Sequence, residues 1–126
     1  MSEYQQLHRR VLELLGFSVR PSGRRFALVV GEMVRTRQRT ESMAWNYAPT
    51  LDSLEEGLFR TVDTVKNKHM MIWTRPDGQV SASLKSFTSG KEVEIVAPQN
   101  SLPVVIAALF VAACDAGLID PSKAVI

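Results

Sequence analysis

The chain has 126 residues, of which 45% are hydrophobic, and a formal net charge of +2. This length fits one domain covering residues 1–126, and the apolar content is sufficient for a hydrophobic core. Cys114 is the single cysteine, which excludes an intramolecular disulfide. The first residues do not show a basic segment followed by an apolar stretch, so we expect no signal peptide and a cytoplasmic location.

The first half of the chain predicts two helices and a hairpin. Apolar residues recur at helical spacing over residues 3–15, and a Pro-Ser-Gly turn at residues 21–24 then joins two short strands. A second amphipathic helix is predicted over residues 52–66, with Asp52 near its start. Residues 31–49 fit both a strand and a solvated loop, and the sequence does not decide between them.

The second half predicts three strands and a helix. The strands cover residues 69–74, 79–85 and 92–95, and turns containing Gly, Pro or Ser separate them. Residues 102–114 are then apolar without interruption. This run is shorter than the ~20 residues that span a bilayer. A helix that is apolar on every side must be buried on every side, so we expect a second cover from another helix or another copy of the chain.

The predicted order is helix, two strands, helix, three strands, helix. Tight turns join the strands, which favours antiparallel pairing. The sequence therefore predicts an α+β fold with a mainly antiparallel sheet of about five strands and helices packed on it. The apolar last helix further predicts a homo-oligomer that associates through it, with no membrane partner.

Three local stretches, residues 14–17, 47–50 and 101–108, together with the overall order of elements, resemble the phage ABA sandwich domain. This is a small α–β–α family of bacteriophage and prophage proteins, and the likeness covers most of the chain. Here the central segment is arginine-rich and the last helix has no basic residue. The resemblance implies a phage or prophage accessory protein and suggests a counter-defence role, but it supplies no functional residues.

The sequence has no motif of a familiar catalytic, metal or cofactor site. It contains no GxGxxG, Walker A, HExxH, CxxC or EF-hand pattern. Cys114 lies in the apolar helix, where burial suppresses thiol reactivity, and His8 and His69 have no cysteine partners for zinc. We therefore predict a non-enzymatic protein without metal or cofactor. The alternative is a small hydrolase or transferase whose site is assembled from residues distant in sequence.

An arginine-rich segment between residues 20 and 40 carries six arginines against one acid, Glu32. The predicted contact group combines the last three of these arginines with two aromatic residues that follow: Arg35, Arg37, Arg39, Trp45 and Tyr47. Guanidinium groups bind phosphate oxygens in pairs, and aromatic rings stack on bases. Arginine and aromatic residues are also enriched at protein interfaces.

This contact group predicts binding of a host factor or of an anionic nucleotide-type ligand. The alternative binding function is general nucleic-acid binding, which the small net charge disfavours. The non-functional interpretation is a solvated loop over Trp45 as a core anchor.

Overall fold

The computed structural model describes residues 2–22, 27–35, 37–38 and 41–125, apart from the side chain of Val34. In this part of the chain the main elements are α1 (Glu3–Leu14), β1 (Ser18–Pro21), β2 (Leu28–Arg35), β3 (Glu41–Tyr47), α2 (Leu51–Asp63), β4 (Lys68–Thr74), β5 (Val80–Ser86), β6 (Glu92–Val96) and α3 (Leu102–Asp115). A short 3-10 helix, Pro121–Lys123, follows α3. None of the helices described combines the length and the apolar character that crossing a membrane requires.

The strands form two antiparallel sheets of three strands each. Sheet A has the order β1-β2-β3, and sheet B has the order β4-β5-β6. The α+β class and the antiparallel pairing are confirmed, but the expected sheet of about five strands is wrong. Short connections pair each strand with its neighbour in sequence, whereas α2 separates β3 from β4. No ladder joins the two sheets in the part of the chain described above.

The sixth strand comes from the segment that the sequence left unassigned. β2 runs on to Arg35, and β3 begins at Glu41 directly opposite it. Arg37 lies in the turn between the two strands, so it does not continue the face on which Arg35 lies. Arg39 lies outside the described residues, as do residues 23–26 of the first predicted hairpin.

Helix α3 is the centre of the core. It packs against α1 and α2 and against β5 and β6. Its fully buried side chains are Val104, Val105, Ile106, Ala107, Leu109, Phe110 and Ala113. The covers that this apolar helix needs therefore come from the same chain. Burial of α3 does not require a second copy, and the reason for an oligomer through α3 is removed.

A glycine ends α3. Gly117 has a φ of 76°, a left-handed conformation that a side chain disfavours. The N–H of Leu118 donates to the carbonyl of Ala113, and the N–H of Gly117 donates to that of Cys114. These two bonds form the Schellman arrangement that satisfies the last carbonyl groups of a helix.

The connection between β3 and α2 is fixed at both ends. Nε2 of His8 on α1 lies 2.6 Å from the carbonyl oxygen of Pro49. Thr50 caps α2, because its hydroxyl oxygen accepts from the N–H of Ser53 at 3.1 Å. Helix α2 thus begins one residue before Asp52, the residue expected near its start. These contacts hold the end of β3 against the helices and position sheet A.

Candidate ligand-binding face

One face of sheet A is turned away from the core. Leu28 and Val30 point to the opposite face and are buried, whereas Met33 and Tyr47 are 60% and 80% exposed. Residues directly opposite each other on paired strands share a face. The register therefore defines what we call the outer face: Ser18, Arg20, Val29, Gly31, Met33, Arg35, Glu41, Met43, Trp45 and Tyr47.

The outer face carries a stacked cation and indole. The guanidinium carbon of Arg20 lies 4.0 Å from the centre of the Trp45 ring. Gly31 lies opposite Trp45, and a Cβ atom there would be 3.2 Å from Cη2 of the indole. The same atom would be 2.6 Å from Sδ of Met43. The glycine therefore lets both side chains lie flat across the sheet.

A cleft of about 710 Å³ opens at this end of the sheet. Its lining includes Arg20, Val29, Trp45 and Tyr47. Arg20, Val29 and Tyr47 form one row across the three strands, so the Cα atoms of the outer two residues lie about 10 Å apart. The volume falls within the roughly 300–1,000 Å³ of small-molecule sites. The row can accommodate a planar ring above Val29, next to the Tyr47 side chain and to the Arg20 guanidinium that lies over Trp45.

The predicted arginines lie at the other end of the outer face. Arg35 is four residues along β2 from Gly31, the partner of Trp45, which corresponds to about 14 Å. Met33 and Met43 occupy the row between. The structure therefore brings Trp45 and Tyr47 together but keeps both away from Arg35. The outer face has an aromatic end and an arginine end.

The arginine end carries two exposed arginines that form no ion pair among the described residues. The four ion pairs among the described residues involve other bases: Arg9, Arg10, Arg60 and Lys68. Arg35 and Arg37 are both exposed, and neither lies within ion-pair distance of a described acid. Glu41 is exposed and lies directly opposite Arg35 on the same face, so its negative charge weakens the attraction of an anion to Arg35. An incoming anion can approach Arg37, in the turn, more directly.

Arg20 is the site residue that sequence reasoning missed. It counted toward the basic segment, but it was not assigned to the contact group. The signal that identifies it is the register of β1 on β2, which places Arg20 opposite Val29 and one row from Trp45. The turn expected at residues 21–24 implied another register, because Pro21 belongs to β1 and pairs with Leu28.

Groups that could serve catalysis are dispersed. Cys114 is half-buried, and burial raises the pKa of its thiol to about 11. His8 is held by Pro49, and His69 is exposed on sheet B. In the part of the chain described above, no group of three or more His, Cys, Asp or Glu side chains could hold a metal ion.

Acids or His69 clustered in a concave pocket would support the alternative of a hydrolase whose site is assembled from residues distant in sequence. Asp52, Glu55 and Glu56 do line a second cleft, but His69 does not. The hydroxyl in that lining belongs to Ser53, and it donates to the carbonyl of Thr50 at 2.8 Å. The three acids therefore support the alternative, which stays a prediction. Nucleophilic catalysis needs a nucleophile beside a base, and the Ser53 hydroxyl is already hydrogen-bonded within the start of α2.

The chain matches no protein-family model, and no curated protein or solved structure is significantly similar to it. The function of the outer face therefore has to be argued from its own residues. The likeness to the phage ABA sandwich domain stays a prediction.

Proposed function

We propose that the protein is a non-enzymatic binding protein whose outer face on sheet A takes an anionic nucleotide-type ligand. The observation that carries this proposal is the row formed by Arg20, Val29 and Tyr47, with the indole of Trp45 beside it. Tyr47 is 80% exposed, so its ring has a free surface for stacking. Stacking on aromatic side chains contributes about 1–3 kcal/mol per base and tolerates any base.

The distance between the two ends of the face selects the size of the ligand. A single nucleotide that stacks on Tyr47 does not reach Arg35, because the two rows are six residues apart along β2, or about 20 Å. A short single strand spans this distance and brings its phosphates to Arg35 and Arg37. We therefore favour an oligonucleotide of a few units over a mononucleotide.

Methionines in the middle of the face favour a host protein as the second candidate ligand. Met33 and Met43 are exposed beside the aromatic residues, and such adaptable side chains are common at promiscuous protein-binding surfaces. A phage origin and a role in counter-defence stay predictions from the resemblance alone.

A fluorescence titration tests the proposal. The variant Trp73→Phe leaves Trp45 as the only indole, so its emission reports the site. A short single-stranded oligonucleotide should change this emission at lower concentration than a nucleoside monophosphate does. Affinity should fall as salt increases, because phosphate contacts release counterions.

Two variants measure separately what the aromatic end and the arginine end of the outer face contribute to binding. Tyr47→Ala should weaken oligonucleotide binding at least fivefold through lost stacking. Arg35→Gln with Arg37→Gln should reduce the salt dependence, whereas Arg75→Gln, in the turn between β4 and β5, should leave it unchanged. Failure of both nucleotide probes to bind at low salt would overturn the nucleotide proposal and favour a protein ligand.

A further inference from the structure

The guanidinium group of Arg20 covers a ring that a ligand of the outer face would otherwise use. It lies 4.0 Å from the centre of the Trp45 ring. The backbone of the sheet lies close to the same indole, since a Cβ atom on Gly31 would be 3.2 Å from its Cη2. The sheet and the guanidinium group thus both restrict access to this ring. A base that stacks on Trp45 must therefore displace the guanidinium group.

Tyr47 provides an open ring beside this covered one. It lies two residues from Trp45 on the same face of β3, or about 7 Å along the strand. It is 80% exposed, so a base can stack on its ring without displacing another group. Both rings line the same cleft. The cleft therefore offers one ring that is open and one whose use depends on Arg20.

Arg20 has no acidic partner among the described residues. Its side chain is exposed and forms no ion pair with a described acid. The described lining of the cleft contains no acid either. Of the two acids in sheet A, Glu32 lies on the opposite face, and Glu41 lies six rows from Arg20, or about 20 Å. The positive charge of Arg20 is therefore available to an anion that enters the cleft.

We propose that Arg20 makes the cleft specific for phosphorylated ligands, because it covers Trp45 until a phosphate group draws the guanidinium away. This inference rests on the proposed function, in which the outer face binds a nucleotide-type ligand. A guanidinium group can bind two phosphate oxygens at once. Its move from the ring to the phosphate leaves the indole free to stack on the base of the same ligand. A ligand without a phosphate must displace the guanidinium and offers it no new partner.

Arg20 therefore affects the two kinds of ligand in opposite directions. A cation over an exposed ring changes an equilibrium constant by about two- to fivefold, and this factor opposes stacking of an uncharged nucleoside on Trp45. A hydrogen bond to a charged group contributes about tenfold or more, which favours a nucleotide. A residue that only held the indole in place would have the same effect on both ligands, because its loss would weaken both.

Adenosine and adenosine 5′-monophosphate (AMP) provide the test, since they differ only in the phosphate group. Titrations in the Trp73→Phe background follow the emission of Trp45, which reports stacking on this ring. Protein with Arg20 should bind AMP at least tenfold more tightly than adenosine. Arg20→Ala should bind adenosine about two- to fivefold more tightly and AMP at least twofold more weakly, so the preference for the phosphorylated ligand is nearly lost.

Two further variants serve as controls. Arg20→Lys keeps the charge but lacks the planar fork of the guanidinium group, so it should retain an intermediate preference for AMP. Arg75→Ala removes an exposed arginine in the turn between β4 and β5 and should change neither affinity. Circular dichroism confirms that each variant is folded.

Three results would overturn the inference and leave the proposed function in place. Weaker binding of both ligands to Arg20→Ala would show that Arg20 only supports the indole. An unchanged preference for AMP would show that another group contacts the phosphate. Binding of the short oligonucleotide without binding of AMP would show that a single phosphate does not uncover Trp45. Failure of all three probes to bind would instead refute the proposed function, and the inference with it.

Discussion

The guanidinium group of Arg20 covers the indole of Trp45 at 4.0 Å, on a sheet face that is open to solvent. The contact ties β1 to β3 across β2, because the two residues belong to the outer strands of sheet A. A cation held over an aromatic ring at an exposed site contributes about 0.5–1 kcal/mol. The contact also sets the orientation of the indole at the aromatic end of the outer face.

Arg20→Ala should therefore lower the free energy of unfolding by about 0.5–1 kcal/mol. It should also shift the emission of Trp45 to longer wavelength, because water replaces the guanidinium group over the ring. Urea unfolding and emission spectra in the Trp73→Phe background measure the two effects. Arg75→Ala is the matched control and should change neither; an unaltered spectrum in Arg20→Ala would mean that the stack does not persist in solution.

Gly31 provides a second test of the same packing. A Cβ atom at this position would lie 2.6 Å from Sδ of Met43 and 3.2 Å from the indole of Trp45. Gly31→Ala should therefore displace the flexible, exposed side chain of Met43 and shift Trp45 slightly, at a cost of about 0.5–1.5 kcal/mol for side chains moved off their preferred rotamers. Urea unfolding measures this cost.

Shortening the displaced side chain tests the cause. Met43→Ala in combination with Gly31→Ala should recover most of the lost stability, because the added methyl group then has space. A double-mutant cycle gives the coupling free energy between the two positions. If the two effects simply add, the clash is not the source of the cost.

Elements with a clear apolar stripe could be predicted from the sequence. Helices α1 and α2 were identified from their apolar stripes, and β5 from the alternation of Val80, Ala82 and Leu84. The turns that bound β4 and β6 identified those strands, and the uninterrupted apolar run identified α3. β3 has the opposite pattern to an ordinary surface strand. Its large apolar side chains, Trp45 among them, are on the outer face, and Ser42, Ala44 and Asn46 lie on the other face. A pattern that equates apolar with buried therefore misses it.

The site itself depends on pairing, which the sequence does not specify. Trp45 and Tyr47 are neighbours on one strand, and their proximity could be predicted from spacing alone. Arg20 lies close to them only because of the register of β1 on β2. Arg35 lies far from them because β3 runs antiparallel to β2, which places Trp45 and Tyr47 opposite the start of β2. The division into two sheets could not be predicted either, because it depends on whether the strands before α2 pair with the strands after it.

Ser81 is buried although its place on β5, between Val80 and Ala82, puts it on the polar face of an alternating strand. It is only 1% exposed, with Trp73 and Val96 directly opposite on the neighbouring strands. Its hydroxyl has no hydrogen-bond partner among the described residues. Ser81→Ala removes a buried unpaired group and should be neutral or stabilising by up to about 1 kcal/mol.

Thr61 is the contrasting control for Ser81. Its buried hydroxyl donates to the carbonyl of Gly57 at 2.8 Å and accepts from the N–H of Val125 at 2.9 Å. Thr61→Val leaves that N–H without its partner and should destabilise the protein by about 1–3 kcal/mol. In thermal unfolding, Ser81→Ala should be at least as stable as wild type and Thr61→Val should be less stable. A Ser81→Ala variant that is less stable than wild type would show that the hydroxyl of Ser81 is hydrogen-bonded in solution.

The thiol of Cys114 gives a prediction that depends on pH. Burial, followed by the negative charge of Asp115, raises its pKa from 9.0 to about 11. The thiolate is the reactive form, so alkylation at pH 8 should be about 100-fold slower than for a thiol of ordinary pKa. The rate should then rise about tenfold per pH unit until it levels off near the pKa.

Two charged residues near Cys114 shift the pKa of its thiol in opposite directions, so each can be removed to test the electrostatic part of the shift. Asp115 raises the pKa and Arg10 lowers it, and the two side chains are themselves paired at 2.8 Å. Asp115→Asn should accelerate alkylation at pH 8, whereas Arg10→Gln should slow it. The pKa of the Cys114 thiol is higher in the folded protein than in the unfolded chain. The contribution of the protonated thiol to the free energy of unfolding is therefore complete below about pH 9 and is lost as pH rises toward 11. A rate that levels off near pH 9 would contradict this, since it would mean that water reaches the thiol as freely as in an unfolded chain.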